Sequence, residues 1–212
     1  TKALADVLRK NDNVITISDE IYELINFTPK HSSLAGVEGM MDKVVTVNGV
    51  SKGFAMTGWR LGYIGAPKWI AAACNKIQGQ ITSAPCSIAQ AAASEAVDAD
   101  PSIADHMLDA FLRRRDQMLD DLSGIHGIKL NKPMGAFYLF PDISGLFGKS
   151  YNGKTLNNSD DVAMFLIEEA HVATVSGSAF GTPECIRLSY AAADEVLAEA
   201  ACRIREAVSK LA

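Results

Sequence analysis

Asp19 and Tyr22, Ser51 and Lys52, and Arg60 are the residues of this 212-residue chain whose types and placing could do chemistry together. Asp19 closes a short β-branched run, VITIS, and Tyr22 follows three residues on. Ser51-Lys52 follows a second run, VVTVNGV, and Arg60 precedes a third, LGYIGA. In open parallel sheets ligands bind beyond the carboxyl ends of the strands, so residues just after each run are where a site is expected. A carboxylate, a phenol, an amine and a guanidinium placed there match a ligand carrying a cationic ring nitrogen, an acidic ring oxygen, an aldehyde and a phosphate. Each residue also has a plain structural use. Asp19 can open a turn or cap a helix, Lys52 can stand in solvent, and Arg60 can stack on Trp59.

The elements that must position these groups follow from periodicity. Leu4, Val7 and Leu8 recur at helical spacing, and Asn11-Asp12-Asn13 stops that helix ahead of VITIS. Near-continuous apolar strands alternating with helices predict an α/β fold with a mostly parallel sheet. Helices are predicted over 68–79, over 84–98 behind Pro85, and over 102–122 behind Pro101. The last carries Ile103, Met107, Phe111, Met118 and Leu122 on its apolar face, with Arg113-Arg114-Arg115 on the wet side. Beyond it come GAFYLF, a Gly/Asn-rich loop at 144–158 expected to be mobile, a helix over 159–170, VATV, CIRLSY, and a final helix. Leu197, Ala200, Ile204, Val208 and Leu211 form one stripe of that last helix. A boundary near residue 100 is expected, separating 1–99 from an α+β lobe at 100–212.

Composition narrows the function classes. With 48% hydrophobic and 21% charged residues the chain is globular, and 212 residues suffice to bury about 70% of the unfolded surface. The net charge of −5 and the lack of a dense basic face argue against nucleic acid as a partner. No run approaches the ~18–20 apolar residues of a bilayer span, and the opening TKALADVLRK has no signal-peptide core, so a cytoplasmic protein without a membrane partner is expected. Cys74, Cys86, Cys185 and Cys202 show no metal-ligand spacing and are expected to be buried free thiols; no metal is expected. His31, His106, His126 and His171 have no partner at catalytic spacing, and Tyr63 reads as a core tyrosine.

The stretches SDEIYE, VNGVSKGFAMTGWRLGY, GAFYLFPD and IRLSYA resemble, in order and spacing, the carboxyl-terminal half of the aspartate aminotransferase-like, fold-type-I pyridoxal phosphate enzymes of the class I/II aminotransferase family. The block SK-x-F-x-M-T-G-W-R-L-G-Y carries most of that resemblance, which runs nearly end to end and looks closest to the bacterial branch handling aspartate and, in some members, prephenate. It implies pyridoxal 5′-phosphate as cofactor, covalent to Lys52, which would also carry the proton exchanged at the substrate α-carbon. It implies that Asp19 pairs with the pyridine nitrogen while buried, that Tyr22 bonds the ring oxygen, and that Ser51 and Arg60 hold the phosphate. Arg187, in IRLSYA, would bind the substrate α-carboxylate, a bidentate task suited to a guanidinium. Phe137 and Tyr138 are expected to pack the second lobe, and Gly53, Gly58 and Gly62 to permit close backbone approach.

The resemblance further implies that residues 1–99 are the end of the large cofactor domain, with a parallel or mixed sheet, and 100–212 the small domain. The reaction expected of the whole enzyme is amino exchange between aspartate, or a related amino acid, and 2-oxoglutarate, within a homodimer. Lacking the phosphate-cradling loop and the ring-stacking aromatic of that family's first half, the chain alone is expected to be inactive and to associate through exposed strand edges. Two other readings stand beside this one. A β-lyase or decarboxylase would use the same lysine, aspartate, tyrosine and arginines. A non-catalytic or nucleotide-binding α/β module would want G-x-G-x-x-G or G-x-x-x-x-G-K-[ST], and neither string occurs.

Overall fold

The structure, a computed structural model, describes residues 1–212. Its contacts divide the chain into two compact units, Thr1–Leu108 and Asp109–Ala212.

The first unit opens with helix α1 (Lys2–Arg9), strands β1 (Thr16–Asp19), β2 (Val44–Gly49) and β3 (Gly62–Gly65), and helices α2 (Lys68–Ile81) and α3 (Ser87–Asp98). The sheet has the order β1-β2-β3. β1 and β2 are parallel and β3 is antiparallel to β2, so the sheet is mixed, within the α/β class with a parallel or mixed sheet that was expected. The antiparallel return is short because residues 50–61 fold as turns, including a 3₁₀ turn at Thr57–Trp59. Ala5 and Leu8 of α1 pack with Leu34, Met40 and Val44, while Leu4 and Val7, expected on the apolar stripe, are exposed. β3 and α2 bury none of their residues: Trp69 stands 66% exposed and Ile81 75%.

Helix α4 (Asp105–Leu122) contains the division between the units and follows a 3₁₀ turn in which Asp100 accepts from Ser102 N ahead of Pro101. Phe111, Met118 and Leu122 are buried as predicted, but Ile103 is exposed. The arginine run is not uniformly wet. Arg113 and Arg114 pair with Asp194, whereas Arg115 is only 5% exposed and donates to Asp116 Oδ1 and the Pro133 carbonyl. Burial of a guanidinium is tolerable here because its fork is matched by a carboxylate and a carbonyl.

The second unit then runs β4 (Tyr138–Leu139), β5 (Ser150–Tyr151), β6 (Lys154–Thr155), α5 (Ser159–Phe165), β7 (Val175–Ser176), β8 (Ile186–Ser189) and α6 (Asp194–Ser209). β4, β8 and β7 form an antiparallel sheet with β8 central. The Gly/Asn-rich segment is not a loose loop. β5 and β6 form a hairpin closed by Asn152-Gly153, with φ of 49° and 79°, and Ser150 exchanges backbone hydrogen bonds with Ala212. Asn-Gly suits a two-residue turn that needs positive φ twice. Asn158 caps α5 by accepting from Asp161 N, and α5 runs on as a π turn, Leu166–Ala170, closed by His171 in the left-handed region. Leu197, Ile204 and Val208 of α6 are buried as the stripe predicted, joined by Ala201 and Ala207. No helix is long and apolar enough to cross a membrane.

Candidate active site

Sheet register gathers the first five candidate residues at one edge. β1 and β2 run the same way, with Asp19 paired to Val47, so both carboxyl ends emerge together. β3 runs back with Gly62 paired to Gly49, which brings its start, and Arg60 two residues earlier, to that same edge. Asp19 and Tyr22, Ser51 and Lys52, and Arg60 thus come from three separate segments to one rim. The close approach of β2 and β3 there requires glycine: a Cβ on Gly49 would stand 3.0 Å from both Gly62 Cα and Leu61 O.

Asp19 is exposed, where a buried carboxylate was expected, and its Oδ1 accepts from Ile21 N at 3.2 Å. It ends a strand whose outer turns leave that rim open, so nothing in this chain covers it. Tyr22, Ser51 and Lys52 are half-buried. Arg60 is exposed, adopts the left-handed conformation at φ 55° and ψ 50°, and donates from Nη1 to Thr57 O at 2.8 Å. Ala55 is also left-handed, at φ 53°. Two non-glycine residues in this region within one short segment are strained backbone of the kind that collects at functional sites. Gly53 is buried against Leu24, whose Cδ1 would lie 2.8 Å from an added Cβ, and Gly58 has open space around its Cα.

Beneath the rim lies a network that the sequence did not reveal. Glu20 is buried; its Oε1 accepts from Ser18 Oγ at 3.0 Å and Ser33 Oγ at 2.9 Å, and its Oε2 lies 2.8 Å from His31 Nε2. Burial pushes the Glu20 carboxyl up, but the hydrogen bonds from His31, Ser33 and Ser18 outweigh it and hold the group below the usual glutamate range. Glu23 Oε1 accepts from the buried Asn48 Nδ2 at 2.7 Å, tying the turn after β1 to β2. The two glutamates of DEIYE therefore face inward as anchors, leaving Asp19 at the rim. His31, expected to lack a partner, has one because the chain folds back eleven residues later. Only strand alternation from Ser18 to Glu20 hinted at this. Tyr63 is 41% exposed and not a core residue; burial and the Glu23 charge push its phenol up.

In the second unit Arg187 sits on the central strand β8, paired with Val175 of β7. Its guanidinium carbon lies 4.5 Å from the centroid of the Tyr138 ring and 4.7 Å from that of Phe180. Phe137 packs at 5.3 Å from Phe111 and 4.7 Å from Tyr138, so the GAFY pair does fill this unit. Tyr190 is fully buried with its O–H donating to Ala136 O, and burial drives its phenol far above the ordinary range. Of the four cysteines, all free, only Cys185 is buried, where burial of all four was expected; Cys74 on α2, Cys86 just before α3 and Cys202 on α6 are exposed.

Comparison with known proteins fits the chain that carries this strand-end constellation to a family. The sequence pattern described as "Aminotransferase class I and II" matches residues 1–204. The chain belongs to that family, whose cofactor is pyridoxal phosphate. It is 45% identical over 210 residues to the bifunctional aspartate aminotransferase and glutamate/aspartate-prephenate aminotransferase of Petunia hybrida, covering 97% of this chain and 44% of that protein. It is 44% identical over 206 residues to the aspartate/prephenate aminotransferase of Cereibacter sphaeroides, covering 96% and 52%. Among solved structures, the aspartate aminotransferase of Rhizobium meliloti superposes with a TM-score of 0.95 at 39% identity, over all of this chain and 54% of the other. An aromatic aminotransferase from Pyrococcus horikoshii gives 0.88 at 37% identity, over 98% and 54%. The chain spans about half the length of the curated relatives it matches.

Proposed function

We propose that this chain is the carboxyl-terminal part of a pyridoxal phosphate-dependent aminotransferase that exchanges an amino group between aspartate, or a related amino acid, and 2-oxoglutarate. The observation that carries this reading is the gathering of Asp19, Tyr22, Ser51, Lys52 and Arg60 at one sheet edge. That donor set fits the cofactor's chemistry: an anion for a ring nitrogen, a phenol for a ring oxygen, an amine for an aldehyde, and a hydroxyl with a guanidinium for a phosphate. When bound, pyridoxal phosphate supplies the electron sink that makes an amino acid's α-proton removable.

The chain's residues would do the rest. Lys52 Nζ would hold the cofactor covalently and afterwards take and return the α-proton. Asp19 keeps the ring nitrogen protonated; Glu20 and Glu23 fix the turn that carries it. Tyr22 bonds the ring oxygen, Ser51 and Arg60 hold the phosphate, and Arg187 forks the substrate α-carboxylate. Four unpaired thiols support a reducing, cytoplasmic setting. The uncovered apolar residues of α2 support association as a homodimer.

The test joins the amino-terminal half of the Rhizobium meliloti enzyme to this chain. With cofactor and borohydride, the chimera should yield one modified peptide, bearing Lys52, and should consume aspartate in the presence of 2-oxoglutarate; the 212-residue chain alone should not turn over. A label on another lysine, or release of pyruvate and ammonia without a keto-acid requirement, overturns the reading.

A further inference from the structure

We infer that Tyr138 and Phe180 are positioning residues for Arg187, an aromatic clamp that sets the guanidinium for a carboxylate before any carboxylate arrives. This rests on the reading of Arg187 as the α-carboxylate site and goes one step beyond it.

The geometry is local to the second unit. Tyr138 lies on β4, whose register with β8 pairs it with Ser189, placing its ring diagonally beside Arg187. Phe180 ends the 3₁₀ turn Gly177–Phe180 that directly follows β7, the other neighbour of β8. Both neighbouring strands thus deliver one ring each, and the guanidinium carbon sits 4.5 Å from one centroid and 4.7 Å from the other. Both separations fall inside the ~6 Å range of cation–π attraction.

The rings are themselves held. Phe180 meets Phe140 edge-on, with centroids 5.8 Å apart and planes at 89°, and Tyr138 packs on Phe137. The turn carrying Phe180 is fixed by Gly177, whose N–H donates to Cys185 O at 2.8 Å and whose carbonyl accepts from Thr182 N at 3.0 Å. Among the described residues, the Arg187 guanidinium pairs with no carboxylate and donates to no acceptor. A half-buried cation held between two rings at contact distance, its N–H groups unmatched, is arranged for an external anion. Fixing it in advance removes much of the rotamer entropy a free arginine would lose on binding. A lysine would lack the flat faces that two rings can grip.

The experiment uses the chimera described above. Phe180→Leu is expected to raise KM for aspartate about three- to tenfold, the range for a partly exposed cation–π contact, with kcat within about twofold. Tyr138→Leu should act alike, and Phe180→Tyr and Tyr138→Phe, which keep the rings, should restore KM. In the 212-residue chain, the ¹⁵N–¹H signal of Arg187 Nε should show restricted motion that Phe180→Leu releases. If Arg187→Lys raises KM while Phe180→Leu and Tyr138→Leu leave KM and the Nε dynamics unchanged, the clamp is overturned and the carboxylate reading survives. If Arg187→Lys leaves KM unchanged, the carboxylate reading itself fails and the clamp with it. A fall in kcat equal to the change in KM, with lower thermal stability, marks the rings as general packing and also overturns the clamp.

Discussion

Glu20→Gln separates the charge of the buried anchor from its shape, and its effect can be worked from the contacts. In the native chain the carboxylate receives two serine hydroxyls on Oε1 and faces His31 Nε2 from Oε2. Glutamine keeps an oxygen for the serines but turns an NH₂ toward the histidine. Hydrogen bonds to a charged acceptor contribute about 1.5–3 kcal/mol and neutral ones about 0.5–1.5, so each serine bond weakens by about 1 kcal/mol and the His31 contact, made neutral, weakens by a similar amount. The total is about 3 kcal/mol. Both tryptophans, Trp59 and Trp69, belong to the first unit, so fluorescence during urea unfolding reports that unit alone. With a slope of about 2 kcal/mol per molar urea, the midpoint at pH 7 should fall by roughly 1.5 M. The pH dependence has a definite sign. Because the folded pKa of Glu20 lies below its ordinary 4.5, its stabilisation is complete above that value and is lost as pH falls through the folded pKa. The gap between the native chain and Glu20→Gln should therefore close in acid. Equal midpoints at pH 7, or a gap that persists below both pKa values, would refute the anchoring role.

Gly177→Ala should prevent the second unit from reaching its native packing, since the new methyl would collide with the backbone carbonyls of Thr182 and Cys185; a loss of at least about 3 kcal/mol is expected, read as loss of near-ultraviolet dichroism. Arg115→Lys keeps the charge but abandons the fork to Asp116 and the Pro133 carbonyl, so denaturant unfolding should show a cost of about 1–2 kcal/mol. Gly153→Ala forces alanine to φ 79° in the β5–β6 turn, and about 1 kcal/mol should be lost, visible in thermal unfolding. In sedimentation velocity the 212-residue chain should associate, and Trp69→Arg with Ile81→Lys should shift it to monomer, because both side chains now stand in water; a native chain that sediments as a monomer would refute this.

Helices and strands of the first unit were legible because their apolar periodicity is long and their stops are marked by Asn, Gly and Pro. The misreadings arose where folding supplied a partner that periodicity does not record. Arg115 looked like its exposed neighbours until Asp116 and the Pro133 carbonyl supplied a buried fork. Residues 144–158 looked like a loop because two-residue strands leave no periodic trace, although Asn152-Gly153 is a hairpin signal. His31 gained a partner only through the turn that returns it to Glu20.

By itself the sequence determined the chemical inventory and its family: a lysine, an aspartate, a tyrosine and arginines beside glycines, in an order that survives as a string. Side-chain type and chain order are one-dimensional facts, and a motif such as SKGFAMTGWRLGY stores them completely. Tertiary structure alone decided that β3 returns antiparallel to bring Arg60 to the rim, that Glu20 and Glu23 turn inward, and that one ring from β4 and one from the 3₁₀ turn after β7 meet Arg187. Those are matters of register and closure, set by hydrogen-bond pairing and burial between residues up to 49 positions apart, and no local pattern encodes them.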